Sequence, residues 1–62
     1  MLVKLTRRGD DKNVWVNKYH VLMIRELVGG GSAVYITDMT LPIEVKEDAK
    51  EIVRDIRRGI EQ

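Results

Sequence analysis

The chain has 62 residues, with 11 Lys and Arg against 10 Asp and Glu, and a formal net charge of +1. It contains no Cys and a single His, which excludes disulfide scaffolds and thiol catalysis and argues against a transition-metal site. The near-neutral balance argues against binding of polyanions by bulk charge, although a local basic patch is compatible with it. The composition, 44% hydrophobic and 34% charged, is that of a globular chain, and the length predicts one small domain.

The first 45 residues predict short strands that are separated by turn residues. A polar cluster at 8–13, the segment 29–32 (Gly-Gly-Gly-Ser) and the pair Asp38-Met39 are typical of turns and hairpin loops. Residues 17–20 interrupt the apolar pattern and predict a turn or a single helical turn. The predicted strands cover about 2–7, 14–16, 21–28, 33–37 and 40–45.

The last predicted strand has a clear two-residue period. Leu41, Ile43 and Val45 fall on one face and alternate with polar residues or proline. Because Pro42 has no N–H to donate to a neighbouring strand, the strand is predicted to lie at a sheet edge.

The period then changes to that of a helix, predicted over about 47–58. Glu47 and Asp48 would lie in its first turn, and Gly59 would mark its end. Acidic and basic residues three positions apart predict ion pairs on its solvent face. Its apolar face is formed by Ala49, Ile52, Val53, Ile56 and Ile60.

These elements predict an α+β fold: a small antiparallel five-stranded sheet or open barrel with one C-terminal amphipathic helix. The segments 21–24 and 33–36 are apolar at both alternating positions, so both of their faces need cover. One helix covers one face, and a domain of about 60 residues is marginal alone. We therefore expect a homo-oligomer, in the first place a dimer.

The sequence offers no catalytic, cofactor-binding or metal-binding constellation, so we expect a protein that is not an enzyme and needs no cofactor. Trp15, Tyr19 and Tyr35 are the candidate anchors of a protein–protein interface. The candidate RNA-binding residues of an alternative hypothesis are Lys4, Arg7 and Arg8.

Two resemblances to known families bear on these alternatives. The opening Met1–Gly9 segment, with Leu5-Thr6-Arg7-Arg8, is similar to the start of CsrA-type RNA-binding regulators. The proteins of that family are dimers with five short strands and a C-terminal helix in each chain, and they contact RNA through the first strand. Over most of the chain the order of motifs resembles the FlbD/SwrD family of small bacterial flagellar and swarming-motility proteins. That similarity is carried by Leu5-Thr6-Arg7, Val14-Trp15-Val16-Asn17, Val34-Tyr35-Ile36-Thr37 and Ile43-Glu44-Val45-Lys46-Glu47.

The FlbD/SwrD resemblance implies a non-enzymatic protein and supplies no binding site. The leading hypothesis is a cytoplasmic interaction or regulatory protein that acts through contacts with itself and with an unknown protein partner. The alternatives are a CsrA-like RNA-binding post-transcriptional regulator and a phage-borne modulator that binds a small ligand between subunits. No apolar run approaches the ~20 residues of a membrane span, so we expect no membrane insertion.

Overall fold

A computed structural model of the chain describes the backbone of residues 2–61 and the side chains of residues 2–58. It has five antiparallel strands and one helix at the C-terminal end, which confirms the predicted α+β fold. The predicted single helical turn is a 3₁₀ turn between the second and third strands. The elements are β1 (Leu2–Thr6), β2 (Asn13–Asn17), the 3₁₀ turn (Lys18–His20), β3 (Val21–Glu26), β4 (Ser32–Ile36), β5 (Ile43–Val45) and α1 (Ala49–Glu61).

The strands form two sheets that meet along β1 and β5. The hairpin β1–β2 is one sheet, and β3, β4 and β5 form the other in that spatial order. A bridge between Arg7 and Val45 links them, and the Lys46 N–H donates to the Thr6 carbonyl at 2.9 Å. Across the two sheets of one chain, β2 and β3 are consequently the outermost strands.

A single aliphatic core lies between the two sheets and the helix. Alternation along β1 and β2 turns Val3, Leu5 and Val16 inward, and Ile52 of α1 packs against them with an exposed fraction of only 1%. Removing this much aliphatic surface from water is the main force that holds α1 on the sheets. The buried apolar residues of the cluster are Val3, Leu5, Val16, Val34, Val45 and Ile52.

A polar junction fixes the start of α1 against the end of β1. Both carboxylate oxygens of Glu47 accept hydrogen bonds from the Thr6 N–H, at 2.9 and 3.1 Å, and one also accepts from the Thr6 hydroxyl at 2.9 Å. The Ser32 hydroxyl donates to the Glu47 carbonyl at 2.8 Å, and the Gly31 N–H donates to Asp48 Oδ1 at 3.2 Å. The junction thus joins β1, the β3–β4 loop and α1.

Two predicted strands are shorter in the structure. The strand β3 ends at Glu26 rather than at residue 28, because Leu27 begins the glycine turn, and Val28 is 99% exposed. The strand β5 begins at Ile43 rather than at residue 40. Pro42 cannot donate to a ladder and precedes the strand. Leu41, which was predicted to share a face with Ile43 and Val45, therefore lies outside the strand and is 73% exposed. In the three-stranded sheet β5 is an edge strand, as predicted, and its outer side meets the end of β1 through the single Arg7–Val45 bridge.

The helix is shifted along the sequence relative to the prediction. It runs from Ala49 to Glu61, so Glu47 precedes it and Gly59 does not end it. Among the described side chains, the predicted ion pairs three residues apart are not formed, and the carboxylate of Glu47 binds Thr6 instead. The Ile60 side chain, predicted on the apolar face, lies outside the described side chains. No helix in residues 2–61 combines the length and the apolar character that a membrane crossing requires.

Candidate interaction surface

An open apolar groove runs between β2 and the turn that connects β4 to β5. It consists of two adjoining pockets of about 400 and 510 Å³, which share Val14, Met39 and Ile43. We call this surface the Met39 groove; its apolar lining is Val14, Trp15, Val16, Ile36, Met39, Leu41, Pro42 and Ile43.

The walls of the Met39 groove are large apolar side chains that water reaches. Trp15 is 58% exposed because it alternates with the inward-facing Val14 and Val16 on β2. Met39 is 52% exposed in a tight turn, where its N–H donates to the Ile36 carbonyl at 3.1 Å. A contiguous exposed apolar surface on so small a domain is typical of an interaction site.

Of the three predicted aromatic anchors, the structure places only Trp15 in this groove. Tyr19 is exposed in the 3₁₀ turn, where the Lys18 ammonium lies 5.1 Å from the centre of its ring. Tyr35 is half-buried on β4, and its hydroxyl accepts a hydrogen bond from Arg25 at 3.3 Å. The three aromatic side chains therefore do not form one cluster.

Sequence reasoning missed Met39 and Leu41 as parts of this surface. The sequence pattern predicts a turn at Met39 and places Leu41 on one face with Ile43 and Val45. The available signal was Pro42, which stops the ladder before Ile43 and leaves both preceding apolar residues outside it.

A second exposed apolar region lies at the outer edge of β3. Leu22 and Met23 are exposed there, next to an irregularity in the pairing with β4. In the single chain these two side chains are uncovered, whereas segment 33–36, for which the sequence predicts the same need of cover, is buried or half-buried.

Of the three candidate RNA-binding residues, Arg7 and Arg8 share one turn, whereas Lys4 lies within β1. Lys4 is opposite Trp15 in the register of β1 and β2, on the outward face of that sheet. Arg7 donates to both carboxylate oxygens of Asp10, from Nε at 3.0 Å and from Nη2, and Arg8 is exposed in the same turn. The hydrogen bond from Arg7 and a second one from the Lys12 N–H lower the pKa of Asp10 to about 2. Arg7 is therefore already paired with a carboxylate that stays ionised at neutral pH.

The described residues hold no group of three or more His, Cys, Asp or Glu side chains placed to bind a metal ion. The single histidine, His20, lines one end of the Met39 groove beside Thr37, whose hydroxyl donates to the His20 carbonyl at 3.1 Å. The chemistry that this surface offers is apolar contact.

Comparisons with known proteins do not identify a relative. No protein-family model matches the chain, and neither the curated proteins nor the solved structures contain a match to it.

Proposed function

We propose that this chain is a small non-enzymatic interaction protein of the cytoplasm that works as a homodimer. The observation that carries the proposal is the Met39 groove, in which Trp15, Met39 and Leu41 are each more than half exposed. A domain of this size has little core to spare, so leaving three large apolar side chains in water is costly unless a partner covers them. The resemblance to small flagellar and swarming-motility proteins also favours a regulatory role over a catalytic one.

The Met39 groove suits a second copy of the same chain. A protruding indole next to an open apolar groove is self-complementary, because a two-fold axis places Trp15 of each copy in the groove of the other. Trp is also the residue type that most often dominates the energy of an interface. In this proposal Trp15 is the anchor, and Tyr19 and Tyr35 lie outside the interface.

The test is the solution mass of the protein, measured by light scattering at several concentrations. We expect twice the chain mass of 7.2 kDa for the natural sequence. Trp15→Ala should lower the mass toward that of a single chain. Val28→Ala is the matched control, because Val28 is also an exposed apolar residue but lies in the β3–β4 turn, away from the groove.

The ratio of absorbance at 260 and 280 nm across the same peak separates this proposal from the RNA-binding alternative. A single-chain mass at every concentration overturns the homodimer, as does a dimer that Trp15→Ala leaves intact. A dimer that carries nucleic acid and loses it on the double substitution Arg7→Ala with Arg8→Ala favours the RNA-binding regulator. A dimer free of nucleic acid that dissociates on Trp15→Ala supports the proposal.

A further inference from the structure

The outward face of α1 carries a row of cations that the proposed dimer interface does not use. At about 100° per residue, positions 50, 54, 57 and 58 fall within an arc of about 100° around the helix. All four side chains are exposed, and together with Ala49 and Val53 they line an open groove of about 540 Å³. We call this surface the basic face; its cations are Lys50, Arg54, Arg57 and Arg58.

The cations of the basic face have no carboxylate partner within residues 2–58. The ion pairs in that part of the chain join Arg7 to Asp10 and Lys46 to Asp11. Glu51 and Asp55 occupy the next arc of the helix, between the basic face and the buried Ile52. By the same spacing position 61, a glutamate, falls within the arc of the cations, so the arc holds four basic residues and one acidic residue. The arc is therefore positive, although the whole chain is nearly neutral.

The chemistry of the basic face matches phosphate groups. Three of its four cations are Arg, whose planar guanidinium binds phosphate oxygens through two parallel hydrogen bonds. The row extends over eight residue steps, or about 12 Å of helix. A nucleic-acid duplex presents one negative charge per ~1.7 Å of axis, so several phosphates lie within reach of the row.

We propose that α1 binds the phosphate backbone of a nucleic-acid duplex through Lys50, Arg54, Arg57 and Arg58, without selecting a sequence. Within residues 2–58, the lining of this groove holds no Asn, Gln or aromatic side chain, the residue types that read adenine or stack on bases. Contacts from these cations to phosphate oxygens are electrostatic and carry no sequence information.

This surface differs from the RNA-binding residues expected from the sequence. Along β1, Val3 and Leu5 face the core in which Ile52 lies, whereas Lys4 points to the opposite face beside Trp15. Lys4 and the basic face of α1 are therefore on opposite sides of β1. The proposal also holds for a single chain, so it does not depend on the dimer.

The experiment measures the affinity for a short DNA duplex between about 50 and 200 mM salt. We expect the affinity to fall steeply with salt, with a slope of log K against log salt near −3.6 if all four cations contact phosphates. Replacing Arg54 and Arg57 together with Gln should make the slope less steep by about 2, since each lost phosphate contact removes about 1. Gln has nearly the helix propensity of Arg, and circular dichroism of the variant checks that α1 is intact.

The matched control is the double substitution Lys12→Gln with Arg25→Gln, which removes the same charge from the β1–β2 turn and from β3, at exposed residues outside the groove. We expect it to leave the slope unchanged. An equal change of slope in both variants overturns the proposal, because the effect is then one of net charge. An absence of duplex binding at the lowest salt overturns it as well. Polyglutamate serves as a second probe: if it binds more tightly than the duplex at equal charge, the basic face belongs to an acidic protein partner instead.

Discussion

At the residue scale, Gly31 shows how closely the β3–β4 loop approaches β5. Its φ is +82°, in the region that favours glycine, and a Cβ built on it would lie 2.5 Å from the Val45 carbonyl oxygen. The Gly31 N–H also donates to Asp48 at the start of α1. This residue is therefore in contact with the backbone of β5 and with the polar junction, and only glycine fits the space.

We predict that Gly31→Ala destabilises the fold by about 3 kcal/mol or more, because it adds a backbone clash to an unfavourable φ. Gly29→Ala is the matched control: its φ of +87° is similar, but a Cβ there meets nothing within 4 Å. It should cost only the strain of the positive φ, about 1–2 kcal/mol. Urea unfolding followed by circular dichroism measures both, and equal costs would contradict the close approach of Gly31 to Val45.

At the scale of elements, the position of α1 depends on a contact between residues far apart in the chain. Glu47 and Thr6 are 41 positions apart, yet three hydrogen bonds join them. The sequence predicted Glu47 as a first-turn helix residue that pairs with Lys50, which is a local interaction. In the structure the Glu47 carboxylate instead binds the end of β1, because Thr6 offers it two donors in a half-buried site.

We predict that Glu47→Ala lowers the free energy of unfolding by about 2–3 kcal/mol, since it leaves the Thr6 N–H and hydroxyl without their acceptor. Glu47→Gln keeps one acceptor oxygen and should cost less. The control is Glu51→Ala, at an exposed position in the first turn of α1, with an expected change within about 0.5 kcal/mol. If Glu47→Ala costs no more than Glu51→Ala, the junction does not hold α1 in place. All variants are compared at one protein concentration.

At the scale of the whole molecule, the fold covers its core and still leaves a large apolar surface in water. The helix contacts β1 and β3, and the strands β2 and β3 keep free outer edges. The Met39 groove opens beside β2, while the basic face of α1 has no strand over it. The arrangement provides two surfaces of different chemistry, one apolar and one cationic.

If the Met39 groove forms the dimer interface, thermal stability must depend on protein concentration. We predict that the Tm of the natural chain rises with concentration, because mass action favours the associated folded state. Trp15→Ala should lower the Tm and remove its dependence on concentration, whereas Val28→Ala should preserve the dependence. Differential scanning calorimetry over a wide concentration range makes the comparison, and a Tm that is constant for the natural chain would argue against the dimer.

The sequence by itself determined the number, kind and order of the elements. The patterns that predict them are local. They are the two-residue alternation of the strands, the turn residues of the Gly29–Ser32 segment and the helical spacing after Val45. These features depend on neighbours within a few residues, so no tertiary information was needed to predict them.

The tertiary structure alone decided which apolar side chains remain in water and where α1 begins. Leu41 and Ile43 have the same sequence pattern, but only Ile43 enters the ladder, because the pairing with β4 starts after Pro42. Glu47 leaves the helix because Thr6, distant in sequence, lies beside it in space. Long-range contacts of this kind form only when the strands pair, and the register of that pairing cannot be predicted from a local sequence pattern. The Met39 groove is formed in this way, by β2 and the turn between β4 and β5.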